Sequence, residues 1–285
     1  MQLLFRHRKI SFDRRPLVMG IVNINDDSFS GDGSLDEDRI IAQIRQQISD
    51  GADVIDLGAE SARTNRQAIS IAEELRRFSL VMERWQEIWS SAKPIDALQV
   101  WPPILSANTW RTDAVRGVIA MGAEWINDMS GLPDGENAAL CAAAGTALLI
   151  MHSVGEPKVP HFHQQWDDVM AQLMQFFSEK IQLAEQHGLS RDSLMLDPGI
   201  DFAKQKDDNL TIYRNLTRLT QFSLPLMIPV SRKTVIGDVL GISNPCERDA
   251  ATIACLTWCM RHGGNIFRAH NVAAASQAIR CLATT

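Results

Sequence analysis

The side chains of this sequence that could do chemistry stand mostly at the ends of short apolar runs. Asn23, Asp27 and Ser28 follow the first run, and Asp56, Glu60 and Arg63 surround the end of the second. Asn108 closes the third, Asn127 and Asp128 the fourth, His152 the fifth and Asp197 the sixth. Ser231, Arg232 and Lys233 follow the seventh, and Arg268 and His270 belong to the eighth. Acids and amides therefore come from the middle of the chain, and cations from its two ends. A cavity collecting them would suit a ligand with a donor-rich heterocycle at one end and an anion at the other. No nucleophile–base dyad stands out, so the chemistry indicated is electrostatic placement of reacting groups. His161 and His163 form an HxH without a third metal ligand nearby in sequence, and are read as non-metal residues.

Elements that repeat regularly must position these residues. The apolar runs cover residues 17–23, 53–58, 104–108, 124–128, 147–152, 193–197, 225–230 and 265–270. They are rich in Val, Ile and Leu and lack polar alternation, as expected of parallel strands covered on both faces. Helical patterns follow each, including 36–49, with Ile40, Ile41, Ile44 and Ile48 on one face, a long one over 70–89, and 111–121. Eight strand–helix units in a chain of 285 residues predict an α/β fold, a (β/α)8 barrel, with active groups where strands end and the following loops begin. No linker or shift in composition divides the sequence, so the expectation is one domain over 1–285 with its core at about 17–280.

Composition narrows the classes of function. The chain is 45% hydrophobic and 22% charged, with a net charge of −6 and a pI near 5.6, which disfavours a nucleic-acid partner. No stretch of eighteen or more apolar residues suggests a membrane span. The opening residues MQLLFRHRKISFDRRP do not read as a secretory signal. Five cysteines without a CxxC pair suggest free thiols in a reducing cytoplasm, with Cys255 and Cys259 as helix packing. The basic cluster 6–9 reads as a solvated end, and Arg232 as a surface or helix-start residue.

Six blocks carry a further signal. MGIVNINDDSFSGDG, GADVIDLGAESAR, WINDMSG, MLDPGIDFAK, PVSRKTVIG and FRAH resemble, in order and spacing, the signatures of the dihydropteroate synthases. The resemblance runs from about residue 17 to residue 280. It implies condensation of 6-hydroxymethyl-7,8-dihydropterin pyrophosphate with p-aminobenzoate, through a pterin-stabilised cation, with loss of pyrophosphate. It further implies that Asp56, Asn108, Asn127, Asp197 and Lys233 hold the pterin, with Asp197 accepting two adjacent ring donors. Asn23, Arg63, Arg268 and His270 would bind the pyrophosphate, Asn23 also helping to hold Mg²⁺, the implied cofactor. Phe29, Ala62, Phe202 and Thr234 would line the aminobenzoate pocket, Phe29 on a hinged lid and Phe202 as an aromatic wall. Lys233, Arg268 and Asp197 are the implied catalytic residues. His152 is read as pocket lining, and the helix over 246–261 as compatible with the homodimer usual in the family.

The sequence departs from the family pattern at four places. Asn108 replaces an aspartate; Ala62 replaces a threonine, with Thr64-Asn65 for Pro-Gly; Asn25-Asp26 replaces Thr-Pro; and Asp201 and Ala203 replace glycines. Asp201 places a new charge beside the second-substrate pocket. Two readings follow: a working synthase with altered substrate contacts, or a pterin-binding paralogue with weak or no catalysis. The methyltetrahydrofolate methyltransferases share such blocks but lack a pyrophosphate cradle, and Arg63, Arg268 and the SRK run argue against them.

Overall fold

The computed structural model describes residues 1–26, 31, 33–61, 66–159, 161 and 163–283. Strands β1 (Gln2–Phe5) and β2 (Arg8–Ser11) form an antiparallel hairpin. Then strand and helix alternate: β3 (Leu17–Asn23), α1 (Glu37–Ser49), β4 (Val54–Gly58), α2 (Ile71–Met82), α3 (Trp85–Ser90), β5 (Ile104–Asn108), α4 (Thr112–Ala120), β6 (Trp125–Asp128) and α5 (Glu136–Ala144). The second half continues with β7 (Ala147–Met151), α6 (Val169–Gln186), β8 (Leu194–Asp197), α7 (Lys206–Arg214), β9 (Met227–Ile228), α8 (Thr234–Leu240), α9 (Asp249–Arg261), β10 (Ile266–Ala269) and α10 (Val272–Ala283).

Eight strands pair in parallel in the order β8-β7-β6-β5-β4-β3-β10-β9. A parallel bridge between Leu196 and Leu226 joins the two edges, with the Leu196 N–H donating to Pro225 O at 2.9 Å. The structure is the expected (β/α)8 barrel.

Side-chain alternation explains how one strand serves two cores. Val18, Val22, Ile55, Leu57, Leu105, Ile126, Ile150 and Phe267 face outward into the shell of helices. There they meet α1, whose N-cap Asp36 accepts from Arg39 N and whose isoleucines 40, 41, 44 and 48 are all buried. The residues between them face the barrel axis. At the N-terminal end these are apolar: Met19, Val54, Ile104, Trp125, Met195 and Ile266.

The β1–β2 hairpin closes that end. Leu3 and Phe5 insert beneath the inner layer, and Phe5 meets the Trp125 ring edge-on at 5.7 Å between centroids. In the basic cluster Arg6, His7 and Lys9 are exposed, as expected of a solvated stretch, while two of its arginines also tie the hairpin to the barrel. Arg6 donates to Ile119 O and Ala123 O, and Arg8 pairs with Glu124 at 3.0 Å. Replacing Phe5 with Leu should lower stability by about 1 kcal/mol through lost ring packing. Turnover should stay unchanged, because the plug lies at the end away from the reactive rim. Thermal melts beside a steady-state assay check this.

Other differences from the sequence expectations have local causes. The long helix over 70–89 breaks into α2 and α3 at Glu83–Arg84, where Arg84 leaves helical geometry at φ −106°, ψ 8°. Strand β9 is two residues long because Pro225 and Pro229 flank it without amide donors. Helix α9 starts at Asp249, after a 3-10 turn begun by Pro245.

Candidate active site

The same alternation that makes the barrel floor apolar makes its upper interior polar. Two residues beyond Val54, Trp125, Met195 and Ile266 stand Asp56, Asn127, Asp197 and Arg268. Asp56 is fully buried and tied to three strands. Its Oδ1 accepts from Ser106 Oγ at 2.6 Å. Its Oδ2 accepts from Asn127 Nδ2 at 3.1 Å and from Arg268 Nε at 2.8 Å. This places Asp56 beneath the cavity as an anchor for Asn127 and Arg268, rather than on its wall.

Above this layer lies a cavity of about 260 Å³. Asn23, Asn108, Asn127 and Asp197 line it from the strand ends, and Phe202, Lys233, Thr234 and Arg268 from the C-terminal half. Asp197 and Arg268 therefore open into one space. Glu60, from the loop after β4, also reaches it and is held by Lys158 at 2.9 Å and Arg111 at 2.8 Å. An outer cavity of about 390 Å³ adjoins the first, sharing Met129, Asp201, Phe202 and Thr234 with it.

Electrostatics in the inner cavity are set by burial. Asp197 accepts from Gly199 N at 2.8 Å, and burial raises its pKa to about 6 against the opposing pull of Lys233, Lys204 and Arg268. Gly199 adopts φ +66° in close approach to His152 O, leaving no room for a side chain. Burial likewise lowers the pKa of Lys233, whose Nζ donates to Ile200 O at 2.8 Å and sits 4.8 Å from the Phe202 ring centroid. An anion near Lys233 would therefore meet a cation already short of solvent.

Several rim residues point elsewhere. Asp128 faces outward and accepts from Ser130 and Asn137, with its pKa raised by burial. His152 lines neither cavity. It lies edge-on to Trp166 and Phe176, held neutral by burial with a pKa near 2, and Lys204 Nζ meets its Nδ1 at 2.9 Å. His270 is bonded through Nδ1 to Ser231 Oγ at 2.8 Å and does not line the cavity. Arg232 pairs with Asp249. Phe29, Ala62 and Arg63, with Asp27 and Ser28, lie outside the described residues.

Residues 19–270 match the family model described as pterin binding enzyme. The chain is 34% identical over 275 residues to the dihydropteroate synthase of Escherichia coli K12, covering 95% of this chain and 92% of that protein. The chain belongs to the dihydropteroate synthase family. It is therefore a transferase. Among solved structures, the Yersinia pestis dihydropteroate synthase with a sulfonamide drug superposes with a TM-score of 0.86 at 29% identity, covering 100% of this chain and 98% of that one. The Xanthomonas albilineans dihydropteroate synthase in complex with 7,8-dihydropteroate gives 0.83 at 30% identity, covering 100% and 98%.

As a dihydropteroate synthase, the chain carries one site feature that its sequence did not announce. Lys204 is buried, with a pKa lowered by burial to about 7, and its Nζ donates to Gly199 O and Phe202 O, each at 2.9 Å. It thereby gathers the loop that carries Phe202 onto the end of β7. The only sequence signal was its place in the GIDFAK block.

The raised pKa of Asp197 has a consequence for binding. If Asp197 receives the two ring donors of a pterin, as the family resemblance implies, the ionised carboxylate is needed and binding below pH 6 must expel a proton. Pterin affinity should be flat above about pH 7 and fall about tenfold per pH unit below pH 6. Calorimetry in buffers of different ionisation enthalpy measures both the affinity and the released proton.

Proposed function

We propose that the inner cavity binds 6-hydroxymethyl-7,8-dihydropterin pyrophosphate and that the protein joins it to p-aminobenzoate, forming 7,8-dihydropteroate and pyrophosphate. The observation that carries this reading is the opening of Asp197 and Arg268 into one cavity, with Asn127 bonded beneath to the same Asp56 that fixes Arg268. In the reaction a C–N bond forms between the amine and the exocyclic methylene as its C–O bond to pyrophosphate breaks. Pyrophosphate leaves with the electron pair, and the nitrogen gives up one proton. Asp197 and Asn127 orient the ring, Asn108 meets its far edge, and Arg268 and Lys233 supply positive charge where negative charge develops. Phe202 and Thr234 form the wall at which the arylamine arrives.

Mg²⁺ belongs to this proposal. Among the described residues no group of three or more His, Cys, Asp and Glu side chains gathers to hold a metal. The donor set instead fits an ion brought in by phosphate. Asn23 lines the cavity beside Gly58, and its side chain carries an amide oxygen suited to such an ion. Magnesium accepts such a site because it retains waters and takes phosphate oxygens as its other ligands. When bound, it would neutralise charge on the departing pyrophosphate.

We further place the protein in the cytoplasm as a homodimer. Among the described residues no disulfide joins any of the cysteines, and burial raises the Cys141 and Cys255 thiols and pushes Cys259 up to about 12. Among the described residues no helix is long and apolar enough to cross a membrane. Val239, Leu240 and Trp258 present apolar surface on α8 and α9, which supports self-association there, and sedimentation reads it directly.

A coupled assay for pyrophosphate release tests the function. Release that requires pterin pyrophosphate, arylamine and magnesium together is the expected result. Tight pterin binding without release would assign the chain to a non-catalytic paralogue.

A further inference from the structure

The loop between β8 and α7 brings Asp201 to the place where the two cavities meet. Its backbone lies in the left-handed region at φ 68°, a conformation that aspartate tolerates better than most residues. Asn209 holds it there, accepting from Asp201 N at 2.9 Å and donating to Asp201 Oδ1 at 3.2 Å. The carboxylate is thereby turned onto the first turn of α8. Oδ2 accepts from Thr234 N, and Oδ1 from Val235 N at 3.3 Å.

These two amides are donors at a helix start, without partners inside the helix. Thr234 faces both cavities, so the backbone donors nearest the shared mouth are already taken by the chain's own carboxylate. One turn along the same helix, Asp238 adds a second acid to the outer cavity. Nearby cations are engaged elsewhere: Lys158 with Glu60, Lys204 with Gly199 O and Phe202 O, and Lys233 with Ile200 O. Lys206 is exposed at the outer edge.

We propose that Asp201 sets specificity for the second substrate, weakening the hold on the carboxylate of p-aminobenzoate and admitting arylamines that carry a neutral, hydrogen-bond-donating group in its place. The inference rests on the functional reading above. An arylamine with its nitrogen toward the inner cavity and its ring against Phe202 points its remote substituent at Thr234. A carboxylate there meets Asp201 with no free backbone donor, whereas a carboxamide donates to it.

The test compares p-aminobenzoate with p-aminobenzamide, which share ring and amine. Asp201→Asn keeps an oxygen for the α8 amides and removes the charge, and Asp201→Gly suits the left-handed backbone. In both variants the ratio of kcat/KM for benzoate over benzamide should rise at least tenfold. In the wild type, raising ionic strength should lower KM for the benzoate and leave the benzamide alone, since salt screens like-charge repulsion. A ratio unchanged in both variants, or a salt response equal for both amines, overturns the proposal. If no arylamine supports pyrophosphate release, the functional reading fails instead. Calorimetric affinities of the two amines for protein loaded with pterin pyrophosphate then decide the role of Asp201 by the same ratio.

Discussion

Asp197→Asn should lose roughly 2–4 kcal/mol of pterin affinity, about 30- to 1,000-fold in Kd. The variant keeps an oxygen to accept from Gly199 N, so the loop geometry survives. It loses the negative charge and turns an amide donor toward ligand donors, leaving at least one buried pair mismatched. Stability should move the other way. Burial pushes the Asp197 carboxyl up to about 6, so at neutral pH the folded, unliganded protein holds a charge it disfavours. A neutral amide removes that cost, and the melting temperature should stay level or rise. Loss of affinity with gain of stability is a signature that simple misfolding cannot produce. Calorimetry with the pterin pyrophosphate, beside thermal melts at pH 7, gives both numbers. Unchanged affinity would remove Asp197 from the site.

Arg268→Ala should damage both the fold and the chemistry. Arg268 Nε is bonded to the fully buried Asp56, so truncation strands a carboxylate that keeps donors only from Ser106 and Asn127. Breaking such a pair costs roughly 3 kcal/mol, which lowers the melting temperature by on the order of 10 °C. Turnover should fall further than stability alone explains, because the variant also loses the cation that we propose faces the pyrophosphate. From sequence alone, Arg268 served only the anionic end, and a pterin without phosphates would bind this variant normally. The structure changes that expectation. Asp56 also positions Asn127, so ring binding should weaken together with pyrophosphate binding. Arg268→Lys should recover part of the charge but little of the geometry, since one ammonium cannot serve Asp56 and a phosphate as a guanidinium fork does. Normal affinity for the bare pterin in Arg268→Ala would show that Asp56 does not transmit the change.

What could be read from the sequence follows physical lines. The barrel strands were legible because burial on both faces demands unbroken Val, Ile and Leu, and in β3, β5, β6, β8 and β10 the last inward residue is polar. Asn23, Asn108, Asn127, Asp197 and Arg268 were found through that regularity. Asp128 and His270 shared the same rim position but were spoken for by Ser130, Asn137 and Ser231, contacts that no period reveals. The hairpin plug was missed because two strands of only four residues around a basic turn resemble a frayed end until Leu3 and Phe5 find the barrel floor. Lys204 and Lys158 act on partners in other loops, and only the fold brings those together. Asp201 was visible as an added charge. Its capture of the α8 amides depended on Asn209, eight positions away, holding a left-handed backbone.

A crystal structure with bound 6-hydroxymethyl-7,8-dihydropterin pyrophosphate tests the central arrangement most directly. The ring's amino group and neighbouring N–H should lie within hydrogen-bond distance of Asp197, with the pyrophosphate between Asn23 and Arg268. A ring seated in the outer cavity beside Asp238, or a pyrophosphate directed away from Arg268, would contradict it.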